Sequence, residues 1–278
     1  TAAFAQDAAD ASAKRDTVGL EEIIVQARKV NENLQNVPVA VTAFTGEQLE
    51  TQNVQRIQDF ANFTPGLATR EGQSSRSALT ISLRGQVQTD ILATLDPSVG
   101  TYVDGVYWSR AYGLNADLLD VQSVQVLKGP QGTLFGRNTT GGAMLINSNN
   151  PDMNEFGGRA SFTYGRFDEM TATGVINIPI VNDRIALRVA GQRATRDGYT
   201  LNTSIPGSAM TGNTVVRRNF AGSPAGTRLD NRDRWNFRGK LQINPTDNLS
   251  LLFSAEYFDM EERAPGRQLR MLLPGYTA

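Results

Sequence analysis

Three aspartates, Asp104, Asp117 and Asp120, are the nearest this chain comes to the carboxylate pair with which a hydrolase cleaves a glycosidic bond. Nothing in their spacing puts two of them on one face, and Asp104, within Val103-Asp104-Gly105, sits where a turn former belongs. Other reactive groups are scarcer. The 278 residues contain no histidine and no cysteine, which excludes imidazole bases, thiolate nucleophiles, disulfides and most transition-metal sites. A glycine-rich stretch from Gly129 to Gly142 suggests a phosphate loop, but Gly136 leads into Arg137-Asn138 where such a loop needs Lys and then Ser or Thr. With 27 basic against 28 acidic residues there is no net positive field to attract nucleic acid. No enzymatic activity and no cofactor are predicted.

Binding is what remains, and one segment is built for it. In Glu21-Glu22-Ile23-Ile24-Val25-Gln26-Ala27-Arg28 three consecutive β-branched residues favour an extended backbone. Polar neighbours leave its edge open to pair with a partner's sheet, or with a sheet of this chain. Ahead of it, residues 6–20 are too poor in large apolar groups to fold. Ala3-Phe4-Ala5, a small-x-small pattern, reads as the end of an export signal over residues 1–5.

Two periodicities divide the rest of the chain. From residue 36 to residue 151 the pattern is mixed α and β. Gly46–Glu50 and Val54–Ala61 space their apolar groups as short amphipathic helices do, and Thr64-Pro65-Gly66 stops the second. Leu79–Leu83, Gly100–Val103 and Val121–Leu127 read as strands. Beyond Pro151 the period becomes two. Trp235, Phe237, Gly239, Leu241 and Ile243 alternate with Arg234, Asn236, Arg238, Lys240, Gln242 and Asn244. The same split puts Ile185, Leu187 and Val189 opposite Arg184, Arg188 and Gln192. It recurs at Leu249, Leu251, Phe253, Ala255 and Tyr257, at Gly174, Ile176, Ile178 and Ile180, and at Ala160, Phe162 and Tyr164. Segments of about ten residues match a tilted strand crossing a bilayer. Tight turns at residues 181–183 and 245–248, with a long polar connection over 195–233, fit an outer-membrane barrel; the connection at 168–170 is short where a long one is predicted. Trp235, Tyr257 and Phe258 are candidates for aromatic belts or for the apolar band between them. A secreted β-sandwich and a passive porin are the competing architectures.

The chain resembles the TonB-dependent outer-membrane receptors along nearly all its length. The most specific match runs from Val124 to Ala143, Val-Gln-Val-Leu-Lys-Gly-Pro-Gln-Gly-Thr-Leu-Phe-Gly-Arg-Asn-Thr-Thr-Gly-Gly-Ala, and is similar to the family's plug signature. Within it stand Gly129, Pro130, Gly132, Gly136, Arg137, Gly141 and Gly142. Asn36–Val41, Ser82-Leu83-Arg84-Gly85 and Tyr102–Val106 support it. The resemblance implies an α+β plug domain over 36–151, followed over 152–278 by about five antiparallel transmembrane β-barrel strands. Since a family barrel has about 22 strands, these are the N-terminal part of an incomplete barrel.

It further implies that residues 6–35 carry a TonB box at 21–28, whose Glu22, Ile23, Ile24 and Val25 pair with TonB, the partner that delivers work from an inner-membrane energising complex. The setting is the Gram-negative outer membrane and its lipid, with the plug and tail reached from the periplasm. The cargo is a bulky, scarce ligand: a ferric siderophore first, with oligosaccharide or cobalamin as alternatives. Arg70, Gln73, Gln88, Trp108, Arg110 and Tyr112 are the loop residues that would meet it, through stacking and charge. No metal-ligating residue is assigned. Gln122 and Gln125 stand where the family usually has acids, which puts plug-to-barrel ion pairs built on them in doubt. Arg84 and Arg137 remain as cations for barrel carboxylates.

Overall fold

A computed structural model describes residues 24–26, 29–30, 32–72, 75–88, 91–92, 94–201, 208–211, 214–217 and 226–263. The predicted export signal, the tail over 6–20, Glu22, Ile23 and Gln73 lie outside the described residues. The first sheet belongs to the mixed region. Its strands are β1 (Ala40–Thr45), β4 (Val99–Val103), β5 (Val106–Trp108), β6 (Val121–Lys128) and β7 (Gly142–Ser148), in the order β1-β6-β7-β4-β5. Only β7 and β4 run parallel. Strands β2 (Leu67–Glu71) and β3 (Leu79–Leu83) form a separate antiparallel pair extended by Gln86–Val87.

Both faces of the first sheet are covered, and alternation along β6 and β7 decides which side chain goes where. Val124, Val126, Met144 and Ile146 point into a core with Phe44, Phe60 and Leu83. Leu127, Ala143 and Leu145 point the other way, toward Tyr102, Phe135 and Val25. Helix α1 (Gly46–Thr51) starts with a capping box: Thr45 Oγ1 accepts from the Gln48 amide at 3.3 Å and Gln48 Oε1 from the Thr45 amide at 3.2 Å. The second predicted helix is shorter and tighter. Val54, Gln55 and Arg56 are not helical, and a 3-10 turn runs over Ile57–Asn62. The reason is Asp59, whose carboxylate accepts the amides of Gln55 and Arg56 at 3.1 and 2.9 Å and holds the chain before the turn in a cap. A second short helix, α2 (Gly132–Phe135), lies in the signature stretch.

The second sheet is an antiparallel meander of β8 (Gly157–Gly165), β9 (Glu169–Val181), β10 (Ile185–Arg196), β11 (Arg232–Thr246) and β12 (Leu249–Met260). Four of these five strands have 12 to 15 residues, beyond the five or six or so usual for a globular sheet. The short turns at 182–184 and 247–248 share one end, and the connections at 166–168 and 197–231 share the other. The long connection carries its own pairings, Thr200–Leu201 with Arg228–Leu229 and Ser208–Thr211 with Thr214–Arg217.

Register fixes what the inner wall is made of. From the short-turn end upward, successive cross-strand rows read Asn177–Arg188–Lys240, then Arg159–Val175–Ala190–Arg238–Glu256, then Ser161–Thr173–Gln192–Asn236–Phe258, then Thr163–Thr171–Ala194–Arg234–Met260. The opposite face exposes Phe162, Tyr164, Ile176, Trp235, Phe237, Phe253 and Tyr257. Phe258 does not join Trp235 and Tyr257 there: it pairs with Asn236 and so faces inward.

Candidate functional site

The mixed domain sits against the inner face of β10 and β11, and the contact is ionic. Residues 115–119 run alongside β11 so that alternate carbonyls meet alternate side chains. The carbonyl of Asn115 accepts from Arg234 Nη1 at 3.1 Å, that of Asp117 from Asn236 Nδ2 at 3.2 Å, and that of Leu119 from Arg238 Nη1 at 2.6 Å. Side chains substitute here for the backbone partners of a β-ladder, which leaves the carbonyls satisfied without a strand. Lys240 closes the series: its ammonium reaches the Ser148 carbonyl at 3.2 Å, Asn150 Oδ1 at 3.1 Å and Asp104 Oδ2 at 3.1 Å.

The three aspartates that stood out in the sequence as hydrolytic candidates are each held by a wall cation. Asp117, 2% exposed at its side chain, takes Arg232 at 2.6 Å and Arg234 at 3.0 Å on the same oxygen. Asp120 binds Arg188 with both oxygens, at 2.6 and 2.7 Å. Asp104 adds the Ser148 amide and hydroxyl at 2.8 and 2.6 Å to its Lys240 contact. Asp104 and Asp120 have φ near +50°, a sparsely allowed region for non-glycine residues that the ion pairs keep occupied. Arg76 continues the network toward the long-connection end, meeting Asp230 at 2.8 Å and Glu262 at 3.3 Å. Glu262 also pairs with Arg234. Burial, and then the neighbouring Arg232 cation, hold the Arg56 guanidinium below its ordinary pKa.

Ion pairs between domain and wall therefore exist without Gln122 and Gln125: Asp104, Asp117 and Asp120 supply the acids to wall cations, and Arg76 supplies the converse pairing to Asp230 and Glu262. Gln122 is exposed, and Gln125, though buried, serves a different purpose. Arg84 and Arg137 do not meet wall carboxylates among the described residues. Arg137 pairs within its own domain with Asp96 at 2.9 Å, and Arg84 lies exposed at a positive-φ turn. A signal for the true arrangement is present in the sequence: the inward face of β11 offers Arg232, Arg234, Arg238 and Lys240 in succession, more like charge than a strand tolerates without acids opposite.

Gln125 instead holds the N-terminal segment. Ile24 and Val25 pair with Asn33 and Glu32. Val25 is fully buried beside Tyr102, Leu127 and Phe135, Ile24 is 58% exposed, and the Gln26 amide donates to Gln125 Oε1 at 2.8 Å. Signature glycines serve the turns around this core. At Gly142 φ is +148°, and a Cβ would come within 2.2 Å of the Leu127 carbonyl oxygen, so only glycine allows β6 and β7 to pair at that point.

Of the six loop residues predicted to meet a ligand, three are brought together. Gln88, Arg110 and Tyr112 line a narrow cleft with Leu79 and Leu92, its volume of about 30 Å³ the size of one water. Asp96 is shared by Arg110, at 3.5 Å, and Arg137. Trp108 turns away from this cleft. Its indole donates to the Tyr112 carbonyl at 2.9 Å, and its ring borders a 380 Å³ cavity with Asp117, Arg238, Glu256 and Phe258. Arg70 lies exposed on β2 and lines neither space.

Residues 33–143 match the model of the TonB-dependent Receptor Plug Domain, and a plug followed by long antiparallel strands is the architecture of the TonB-dependent receptors of the Gram-negative outer membrane. The pesticin receptor of Yersinia pestis is 36% identical over 114 residues, 41% of this chain and 16% of the relative. The iron-regulated outer membrane virulence protein of Vibrio cholerae is 26% identical over 205 residues, 70% of this chain and 29% of the relative. Among solved structures, the ferric yersiniabactin uptake receptor FyuA from Yersinia pestis superposes with a TM-score of 0.66 at 25% identity, covering 78% of this chain and 31% of that one. The chain thus spans less than a third of the length of each. This family is one of receptors and transporters.

Proposed function

We propose that the chain forms the plug and first wall strands of a receptor that takes up a bulky ligand by energy-coupled transport, with a ferric siderophore as cargo. The observation that carries this is the seating of Ile24–Gln26. The segment is extended, Ile24 is exposed although it pairs with Asn33, and the residues after it are fastened to β6 through Val25 packing and the Gln125 hydrogen bond. A partner such as TonB, adding its sheet edge to residues 22–25, gains main-chain hydrogen bonds strong enough to pull on. Tension there is delivered to β6, an interior strand between β1 and β7 of the plug sheet. The iron-chelate cargo rests on the relatives: an iron-regulated outer membrane protein and a ferric yersiniabactin receptor.

Contact with the ligand is assigned to the cleft of Gln88, Arg110 and Tyr112. As it stands, the cleft admits about one water, so a chelate binds over its mouth or after Arg110 leaves Asp96. The test is Ile24→Pro in the full-length receptor. Proline cannot donate to a ladder, so uptake of iron-loaded yersiniabactin or ferrioxamine should fall to background while binding to purified receptor stays at the parental level. Uptake that survives the substitution removes Ile24 from the coupling strand.

A further inference from the structure

The plug is held very differently by the two parts of the described wall. Against β10 and β11 it is gripped by buried groups: Arg188 on Asp120, Arg232 and Arg234 on Asp117, Lys240 on Asp104, and three side chains of β11 on three alternate carbonyls. Leu119, itself buried, packs on Ala190 of β10 and on Val175, where the grip reaches the adjoining strand β9. Beyond Val175, toward the long-connection end, the inner rows of β8 and β9 change character. Arginine gives way to Ser161, Thr163, Thr171 and Thr173, and a 300 Å³ cleft opens between them and Glu50 and Asn53 of the α1 region. The bridge across its mouth joins Arg159 to Glu50, both about half exposed, where solvent screening leaves an ion pair weak; the other Arg159 nitrogen lies 3.9 Å from Asp120. Gln192 at the back of the cleft has a buried carbonyl oxygen with no protein partner among the described residues.

We propose that this cleft is the route by which solute passes the plug: β10 and β11 form the fixed side, and the plug swings or unravels away from β8 and β9. The inference rests on the uptake reading and assigns it a path. On the wall side the path's lining is hydroxyl and carboxamide; on the plug side it includes Leu49, Val54 and Leu118, and its charges are the Arg159–Glu50 gate and Asp120, which Arg188 neutralises. It therefore suits a hydrophilic solute that exchanges its hydration for neutral donors and acceptors, such as a hydroxamate or catecholate chelate, and it offers nothing to hold one tightly. A buried ionic wall could not serve, because each pair broken to let solute pass leaves an unpaired charge in a dry interface.

The experiment reads opening directly and needs no identified ligand. Single cysteines at Thr173 and at Ala190 are placed in the full-length receptor in living cells, with Ala194→Cys as a second fixed-side position should Ala190→Cys disturb packing. Each is treated with a membrane-impermeant fluorescein maleimide, with the proton-motive force intact or collapsed by an uncoupler, in the presence of ferrioxamine B. Labelling of Thr173→Cys should rise about tenfold or more with the force intact, in proportion to the population of the opened state, while labelling at 190 and 194 stays constant. Force-dependent labelling at 190 or 194 with none at 173 overturns the path but keeps energised opening. Labelling that ignores the force at all three positions overturns energised uptake itself.

Discussion

Asp117→Asn is the substitution that probes the grip on the plug most sharply. The carboxylate is 2% exposed and its Oδ1 receives Arg232 at 2.6 Å and Arg234 at 3.0 Å, guanidinium groups that are themselves 7% and 2% exposed. Removing one partner of a buried ion pair costs about 3–5 kcal/mol, because the other charge stays desolvated. Here the loss is partly offset. Arg234 keeps Glu262 and the Asn115 carbonyl, and Arg232 keeps Glu169 at 3.2 Å. About 2–3 kcal/mol should therefore be lost from docking, and it should fall on the plug side, since β11 remains laddered to β10 and β12 over its whole length. Hydrogen exchange of the full-length receptor in detergent checks this. Amides of residues 115–121 should exchange about 30- to 150-fold faster, at 1.36 kcal/mol per decade, with those of β9 unchanged. Exchange within about threefold of the parent would show that the carboxylate's Coulomb gain merely balances its own desolvation, and would refute the grip at Asp117.

Three further outcomes follow from the geometry. Gly142→Ala drives a methyl into the Leu127 carbonyl and the Leu83 side chain at a φ of +148°, and should cost about 3 kcal/mol or more; protease digestion of the outer-membrane-inserted receptor should then remove the plug and leave the barrel. Arg110→Ala frees Asp96 to Arg137 alone and should weaken binding of ferric ligand to purified receptor about tenfold, a charge-assisted hydrogen bond's worth; unchanged affinity takes Arg110 out of the site. At the joint between plug and β8, the Asn154 and Glu155 amides hold the Asp152 carboxyl below its ordinary pKa. A depressed folded pKa means stability fully present above the ordinary carboxylate value and lost as pH falls below it through the lowered folded value. The melting-temperature gap between the parent and Asp152→Ala should therefore be open at neutral pH and close in acid; a gap that widens in acid contradicts the assignment.

Period-two alternation over residues 160–257 determined the second sheet, its lipid-facing side and the ends that carry short turns. This is because each strand's faces are set by its own side chains and by the solvent on either side. The Val124–Ala143 stretch pointed to a plug through its resemblance to the family signature, and its glycines were legible as turn formers; that Gly142 adopts a φ of +148° against the Leu127 carbonyl is known only from the structure. What the wall cations touch was a different matter. Asp104 looked like a turn former, Asp117 and Asp120 like carboxylates sharing no face with it, and Arg234 like one polar position among many, because the partners are far apart in the chain: 68 residues for Asp120 and Arg188, 117 for Asp117 and Arg234. Strand β7 escaped for a similar reason: Ala143–Ile146 is a short apolar run directly behind glycines, and only its parallel pairing with β4 makes it the interior of a sheet. Gln125 in place of an acid was legible as a departure, but not as the anchor of Gln26. Charge partners, and the difference between a gripped wall and a hydrated one, depend on docking two independently patterned surfaces, and only the tertiary structure decides that.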